Sequence, residues 1–316
     1  MNRFLKIFLR DRLIHSIQLA GFGKHPAWND HIDDVGLTTE SLVIVKRILY
    51  SEGIASQVSS GAWNRLEESG RALEFDHRFV WSREAQSVVG GIWASIDGKG
   101  RGYFPMIICL QIPLNGWRAA RNFLTSVEQL GGACRATNEQ QKFRHMFEET
   151  QVKLRSDWFS NSDPENKLYD LLQEREEAIL NGMIALSQGV KNYQRQGARD
   201  GDGSAHFRVP AISPRPKESL EFWAGYLETW LGLRLPCLTL ASAGLGPVDI
   251  IAGEPVGGDL FCLRASEGGL PMTLPPETDR RTADVRLAAK VYLRSFAQGI
   301  IEPVKGRLTR HWWPFK

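Results

Sequence analysis

The chain is poor in the features that announce a mechanism. Its 316 residues include only four cysteines, Cys109, Cys134, Cys237 and Cys262. No two of them form a CxxC pair, so a zinc knuckle is not expected. Cys109 and Cys237 lie in apolar runs and read as buried thiols. No apolar run reaches the 18 or so residues needed to cross a bilayer. The opening segment MNRFLKIFLRDRL is interrupted by Arg3, Lys6, Arg10, Asp11 and Arg12 too often to serve as the apolar core of a secretory signal. Without signal, span or disulfide framework, the expectation is a cytoplasmic protein. The chemical motifs are missing as well. There is no Walker A loop and no G-x-S-x-G elbow, Ser242-Ala243-Gly244-Leu245-Gly246 being glycine-rich but out of pattern. His77 and His206 stand alone near strands and read as structural histidines. No catalytic set and no cofactor are expected. The net charge is only +3, from 39 basic and 36 acidic side chains, too small to argue for nucleic acid as a partner.

What is present is an ordinary globular composition, 42% hydrophobic and 24% charged, on a chain of one large domain or two average ones. Short strands are predicted over 16–22, 77–82, 86–96, 104–112, 205–212, 236–242, 248–252 and 260–263, from β-branched and aromatic content between turn residues. Helices are predicted over 38–50, 54–68, 117–130, 138–156, 164–187, 217–233 and 281–298, from apolar spacing and from starts such as Asp163-Pro164. Residues 191–204, polar and glycine-rich, read as a loop. Strands and helices alternate in both halves, which predicts an α/β (α+β) sandwich: a sheet covered by helices, with a helical insertion. The boundaries are 1–135 for a sheet-and-helix domain, 136–200 for the helical insertion and its loop, and 201–316 for a second strand-and-helix half with a basic end.

Two loops concentrate the chemistry-bearing residues. The first, Gly21 to His31, offers Gly23 for close backbone approach, Lys24 for an anion, and His25, Asp30 and His31 as residue types that hold divalent ions. The second, Ser95 to Pro105, reads as a hairpin turn in which Arg101 pairs with an acid, with Asp30 of the first loop as the candidate. A metal-dependent hydrolase using His25, Asp30 and His31 is one alternative reading of the first loop; a small-GTPase-associated adaptor is an alternative from fold class alone.

These two segments resemble the TagF (ImpM) family of type VI secretion accessory proteins. That family typically opens with a strand running into G-K-[apolar]-P-x-x-G-D-F, matched here by Gly23-Lys24-His25-Pro26-Ala27-Trp28-Asn29-Asp30-His31. It continues with S-x-D-x-x-G-R-x-F-P, matched one residue longer by Ser95-Ile96-Asp97-Gly98-Lys99-Gly100-Arg101-Gly102-Tyr103-Phe104-Pro105. Asn29, His31 and His25 depart from the pattern, replacing a glycine, an aromatic and an apolar residue. The resemblance covers residues 16–115. It implies a largely antiparallel sheet flanked by helices, and a cytoplasmic, non-catalytic regulator that restrains a secretion apparatus after translation. It also implies a protein partner, a forkhead-associated scaffold or another secretion regulator. Gly23, Lys24, Pro26, Trp28, Asp30, Asp97, Gly100, Arg101, Phe104 and Pro105 are the motif and interaction residues, with Trp28 and the Trp312-Trp313 tail as partner-facing aromatics.

The charge is uneven. From Arg280 onward there are nine basic and two acidic residues, so this end carries +7 and the rest −4 of the total +3. Arg286, Lys290 and Arg294 recur every four residues and form one stripe of the last helix, expected to suit an acidic protein surface.

Overall fold

The computed structural model describes residues 16–66, 74–83, 86–157, 175–200, 203–275 and 280–299. Its centre is a seven-stranded sheet in the order β1-β4-β3-β2-β6-β7-β5. The strands are β1 (Gln18–Gly23), β2 (Asp76–Arg83), β3 (Gln86–Trp93), β4 (Met106–Ile112), β5 (Ala205–Pro210), β6 (Cys237–Ser242) and β7 (Pro247–Ala252), and every pairing is antiparallel. The predicted α+β sandwich is the fold observed. β2 pairs directly with β6, so strands from before residue 135 and after residue 201 share one sheet.

Both faces of this sheet are covered, which explains why β4 is apolar at every position but Gln111: all seven of its residues are buried. Side chains alternate along each strand. Met106, Ile108 and Leu110 point to one core, Ile107 and Cys109 to the other. The first core is built with α3 (Gly116–Arg135), α4 (Gln140–Asp157), α5 (Glu176–Asp200), α6 (Pro216–Gly225) and α7 (Arg280–Ala297). The second is closed by α1 (Glu40–Val45), a wide π-helical continuation (Lys46–Ile54), α2 (Ala55–Ser59) and a short 3-10 segment (Gly257–Arg264). Thr39 starts α1 by accepting the Leu42 N–H at 3.3 Å, the capping role its residue type favours. Among the described residues no helix is long and apolar enough to cross a membrane.

Two predictions are corrected. Residues 260–263 are not a strand. Gly257 and Gly258 open a tight helical segment whose Asp259 carboxylate accepts the Val256 N–H at 2.9 Å, and Leu260 and Leu263 face the second core as a helix face rather than as a strand. Residues 191–200 are not a loop but the last turns of α5. Their Lys, Arg and Gln residues are adequate helix formers, so a polar stretch continues a helix whose packing has been set upstream. The first part of the predicted 164–187 helix lies outside the described residues.

Each edge strand is closed by side chains and by backbone groups of neighbouring loops. On β1 the outward backbone groups alternate. Gln151 of α4 donates to the Ile17 carbonyl at 2.8 Å and accepts the Leu19 N–H at 2.7 Å. Gly21 exchanges bonds with Val35, and the Gly23 carbonyl accepts from Ile32 at 2.8 Å. On β5, Arg208 and Thr273 bond reciprocally through N–H, carbonyl and hydroxyl at 2.9 Å. Edge strands left open invite pairing with other chains.

The side chain of Arg208, 2% exposed, holds the other end of this arrangement. It forks onto Asp249 of β7 at 2.7 and 3.0 Å and donates to the carbonyls of Cys262, Ala265, Ser266 and Leu270. Burial alone would raise the Asp249 pKa. Hydrogen bonds from His206 and Arg208 outweigh it and hold the carboxyl below its usual range. Replacing Arg208 with Met strands a buried carboxylate and should cost about 3–5 kcal/mol of unfolding free energy, measured by urea titration. The double change Arg208→Met with Asp249→Leu should recover a large part of that loss.

Candidate functional site

The site is built from the end of β1 outward. Gly23 carries φ of +102°, and a Cβ there would lie 2.2 Å from the Pro105 carbonyl oxygen. Only glycine allows both the left-handed backbone and that approach. The approach lets Lys24 N–H donate to Pro105 at 3.1 Å, which ties the first loop to the strand entry at β4. The Lys24 side chain then turns inward, 4% exposed.

Its ammonium group donates to Asp30 Oδ1 at 2.5 Å and to Asp97 Oδ2 at 2.9 Å. Asp97, wholly buried, gathers the second loop around itself. Its Oδ1 accepts the N–H groups of Lys99 and Arg101 at 2.9 and 3.0 Å, and its Oδ2 accepts Arg101 Nε at 2.7 Å. Arg101 Nη2 reaches back to the Asn29 carbonyl at 3.0 Å and to Asp30 Oδ1 at 3.1 Å. The expected contact between Arg101 and Asp30 is present. Gly98 N–H donates to the Trp28 carbonyl at 2.7 Å. A Cβ on Gly98 would meet Asn29 Oδ1, Pro26 O and Trp28 O at 2.9 to 3.2 Å. Gly100 supplies the left-handed turn, with φ of +78°. Phe104 packs beside Tyr50 and His31 at centroid separations of 5.6 and 5.9 Å, and Pro105 is buried. The structure therefore brings Gly23, Lys24, Pro26, Asp30, Asp97, Gly100, Arg101, Phe104 and Pro105 into one clasp between two loops.

Electrostatics follow from this geometry. Burial would raise the Asp97 pKa, but bonds from Lys24, from the Arg101 and Lys99 backbone and from the Arg101 side chain together push it far below the carboxylate range. Asp30 is lowered chiefly by its hydrogen bond from Lys24, although its side chain is exposed.

Three expectations are corrected. Trp28 is not partner-facing: it is 3% exposed, packs edge-on against His25 and Phe143, and donates to Asp33 at 3.0 Å. His25, Asp30 and His31 do not converge as metal ligands. His25 is buried with both nitrogens engaged, by the Cys134 carbonyl at 2.8 Å and the Ala27 N–H at 3.1 Å. Burial lowers its pKa, so the ring is neutral. His31 and Asp30 lie together at 3.1 Å, but the same Asp30 oxygen already receives Lys24 and Arg101. The basic stripe is also not free along its length. Arg286 is paired with Glu177, and Lys290 lies 3.8 Å from Glu176, both in the first turn of α5. The two cations join α7 to α5, and Arg294 alone of the three has no acidic partner among the described residues. Trp312 and Trp313 lie outside the described residues.

Several structurally central residues escaped sequence reasoning. Tyr50 has a buried hydroxyl with no partner beside the clasp; its place in a helical run gave no sign of this. Arg208 and Asp249 did leave a signal, a single charge inside each of two apolar strands, HFRVP and PVDIIA. With His206 and Cys262 the Asp249 carboxylate forms a compact His–Asp–Cys group. Arg208 already occupies both Asp249 oxygens, so this group is a structural lock. The four cysteines are all buried, and burial pushes Cys134 and Cys237 up to about 12. Burial likewise pulls His77 down to about 4. No protein-family model and no curated protein matches the chain.

Because the folded Asp97 pKa is depressed, its contribution is complete above the ordinary carboxylate range and is lost only as pH falls through the lower folded value. Amide hydrogen exchange at Lys99 and Arg101 should therefore stay protected near pH 4, where free aspartates are about half protonated. In Lys24→Met the same two amides should lose protection at all pH values, while those of β3 and β4 keep theirs.

Proposed function

We propose that the chain is a non-catalytic regulator or adaptor, resembling TagF, that acts by protein–protein interaction on a secretion machine in the cytoplasm. The observation that carries this reading is the clasp. Its charges are spent on one another: Lys24 on Asp97 and Asp30, Arg101 on the same pair. A site arranged in this way holds a surface in shape rather than activating a nucleophile or a water.

The surface it holds has the composition of a recognition patch. Ile96 and Tyr103 are 49% and 73% exposed on the second loop. Beside them stand the half-exposed Arg101 guanidinium and the exposed Asp30 carboxylate. Tyrosine and arginine are enriched among residues that dominate binding energy, and a rigid loop loses little entropy on binding. The two motifs that resemble the TagF family are the two loops that form the clasp. By that resemblance the partner is a forkhead-associated scaffold or another secretion regulator.

The test is site-specific photocrosslinking. A benzoylphenylalanine at position 103 should give a discrete adduct in the native host, identified by mass spectrometry as a component or regulator of a secretion machine. Adding Arg101→Glu should reduce the adduct at least about tenfold, since a half-exposed cation that both shapes the patch and faces the partner becomes an anion. An adduct with a small GTPase, or one indifferent to Arg101→Glu, would overturn the proposal.

A further inference from the structure

The fold takes several carboxyl groups out of water, in the clasp and away from it, and gives each a cation. Asp97 has Lys24 and Arg101, Asp249 has Arg208, Glu221 has Arg121, and Glu218 has Arg215. Glu228, half-buried, has no basic partner among the described residues. Burial raises its pKa, partly offset by hydrogen bonds from Ser82 and from the backbone of Gly116 and Trp117.

Glu228 follows α6 in a π-helical turn (Tyr226–Trp230) and faces the start of α3. Its Oε1 accepts the Ser82 hydroxyl at 2.5 Å and the Gly116 N–H at 2.9 Å. That is sufficient to cap the first turn of α3. Its Oε2 has only a long contact, 3.4 Å from the Trp117 N–H. One oxygen therefore serves the fold, and the other is nearly unspent.

The same carboxylate lines a cavity of about 270 Å³. Leu227, Leu233 and Leu235 supply apolar wall, and Arg234 lines it as well. Arg234 is exposed and makes no ion pair among the described residues. Opposite charges with no ionic partner among the described residues thus border one small, partly apolar cavity.

We propose that this cavity binds a small zwitterion of the aliphatic amino-acid class. The ligand ammonium group bonds Glu228 Oε2, its carboxylate meets the Arg234 guanidinium, and its hydrocarbon part lies against the leucines. A cationic amine is the group that Glu228 lacks: it supplies the positive charge that each of the other four carboxylates obtains from the protein. A neutral or purely anionic ligand would leave Glu228 uncompensated. A simple amine would leave Arg234 unused.

Three matched probes test this by isothermal titration calorimetry on the full chain: L-leucine, isoamylamine, which lacks the carboxylate, and 4-methylpentanoate, which lacks the amine. Leucine should bind saturably, and each truncated probe at least about tenfold more weakly, because each forfeits a charge-assisted hydrogen bond. Glu228→Gln keeps an oxygen to cap α3 but loses the charge. It should weaken leucine at least about tenfold while the thermal transition stays in place. Arg234→Gln, at an exposed position, should weaken leucine and leave isoamylamine unchanged. This second variant keeps the test decisive should Glu228→Gln fail to fold. No saturable binding of leucine, equal binding of leucine and isoamylamine, or leucine affinity unchanged in Arg234→Gln would each overturn the proposal.

Discussion

A sheet buried on both faces can meet water only along its two edges and at the ends of its strands, and that constraint organises this molecule. Covering both faces with helices buries whole strands, as in β4 with all seven residues buried. The polar backbone is then left to be satisfied at the margins. Groups from other elements do this: the Gln151 side chain and the Val35 backbone on the β1 edge, Thr273 on the β5 edge, Lys24 and Asp97 where β1 and β4 meet their loops. Each is a buried or half-buried polar group whose partners are supplied in full, the condition under which polar groups rigidify rather than weaken a fold.

The clasp and the Arg208 lock solve the same problem at opposite sides of the sheet. In each, a basic side chain that is almost fully buried bonds carboxylate oxygens, joined in the lock by carbonyls, and an irregular segment is held against a strand end or edge. The lock uses arginine because one planar group must reach a carboxylate and four carbonyls. The clasp uses lysine for the buried centre and arginine at the rim. An ammonium group fits between two carboxylates, and a guanidinium spans from buried Asp97 to exposed Asp30.

Much of this was legible in the sequence wherever periodicity was strong. The strands around Val80, Val89 and Ile108 and the helices around Leu124 and Ala289 follow from apolar spacing, and the Asp30–Arg101 contact followed from two turn-rich loops flanking apolar strands. Periodicity failed where one pattern fits two structures. Leu260 and Leu263 suit a short strand or one helical turn, and only the packing against the Lys46–Ile54 segment decides. Lys191–Asp200 is polar enough for a loop, yet a long helix already anchored on β5 carries it onward. Trp28 was misjudged because a tryptophan in a polar loop gives no sign of which way its ring turns. Phe143, which buries it, lies more than a hundred residues later in the chain. The strand order, too, has no local signature, since β2 finds β6 across the whole helical middle.

The use of Gln151 as a stand-in for an eighth strand bears on how the chain is made. β1 emerges from the ribosome long before its hydrogen-bonded neighbour β4 and its amide cover on α4. Contacts so distant along the chain form slowly, because the intervening loop must close before any of them is rewarded. During that interval the segment SIQLAGF is apolar, extended in tendency and unpaired on both sides, the condition in which nascent chains associate with one another. The amide of Gln151, with Arg155 beside it on the same Ile17 carbonyl, completes the cover of this edge, and synthesis beyond residue 155 is needed before the Ile17–Leu19 end of the strand ceases to be sticky.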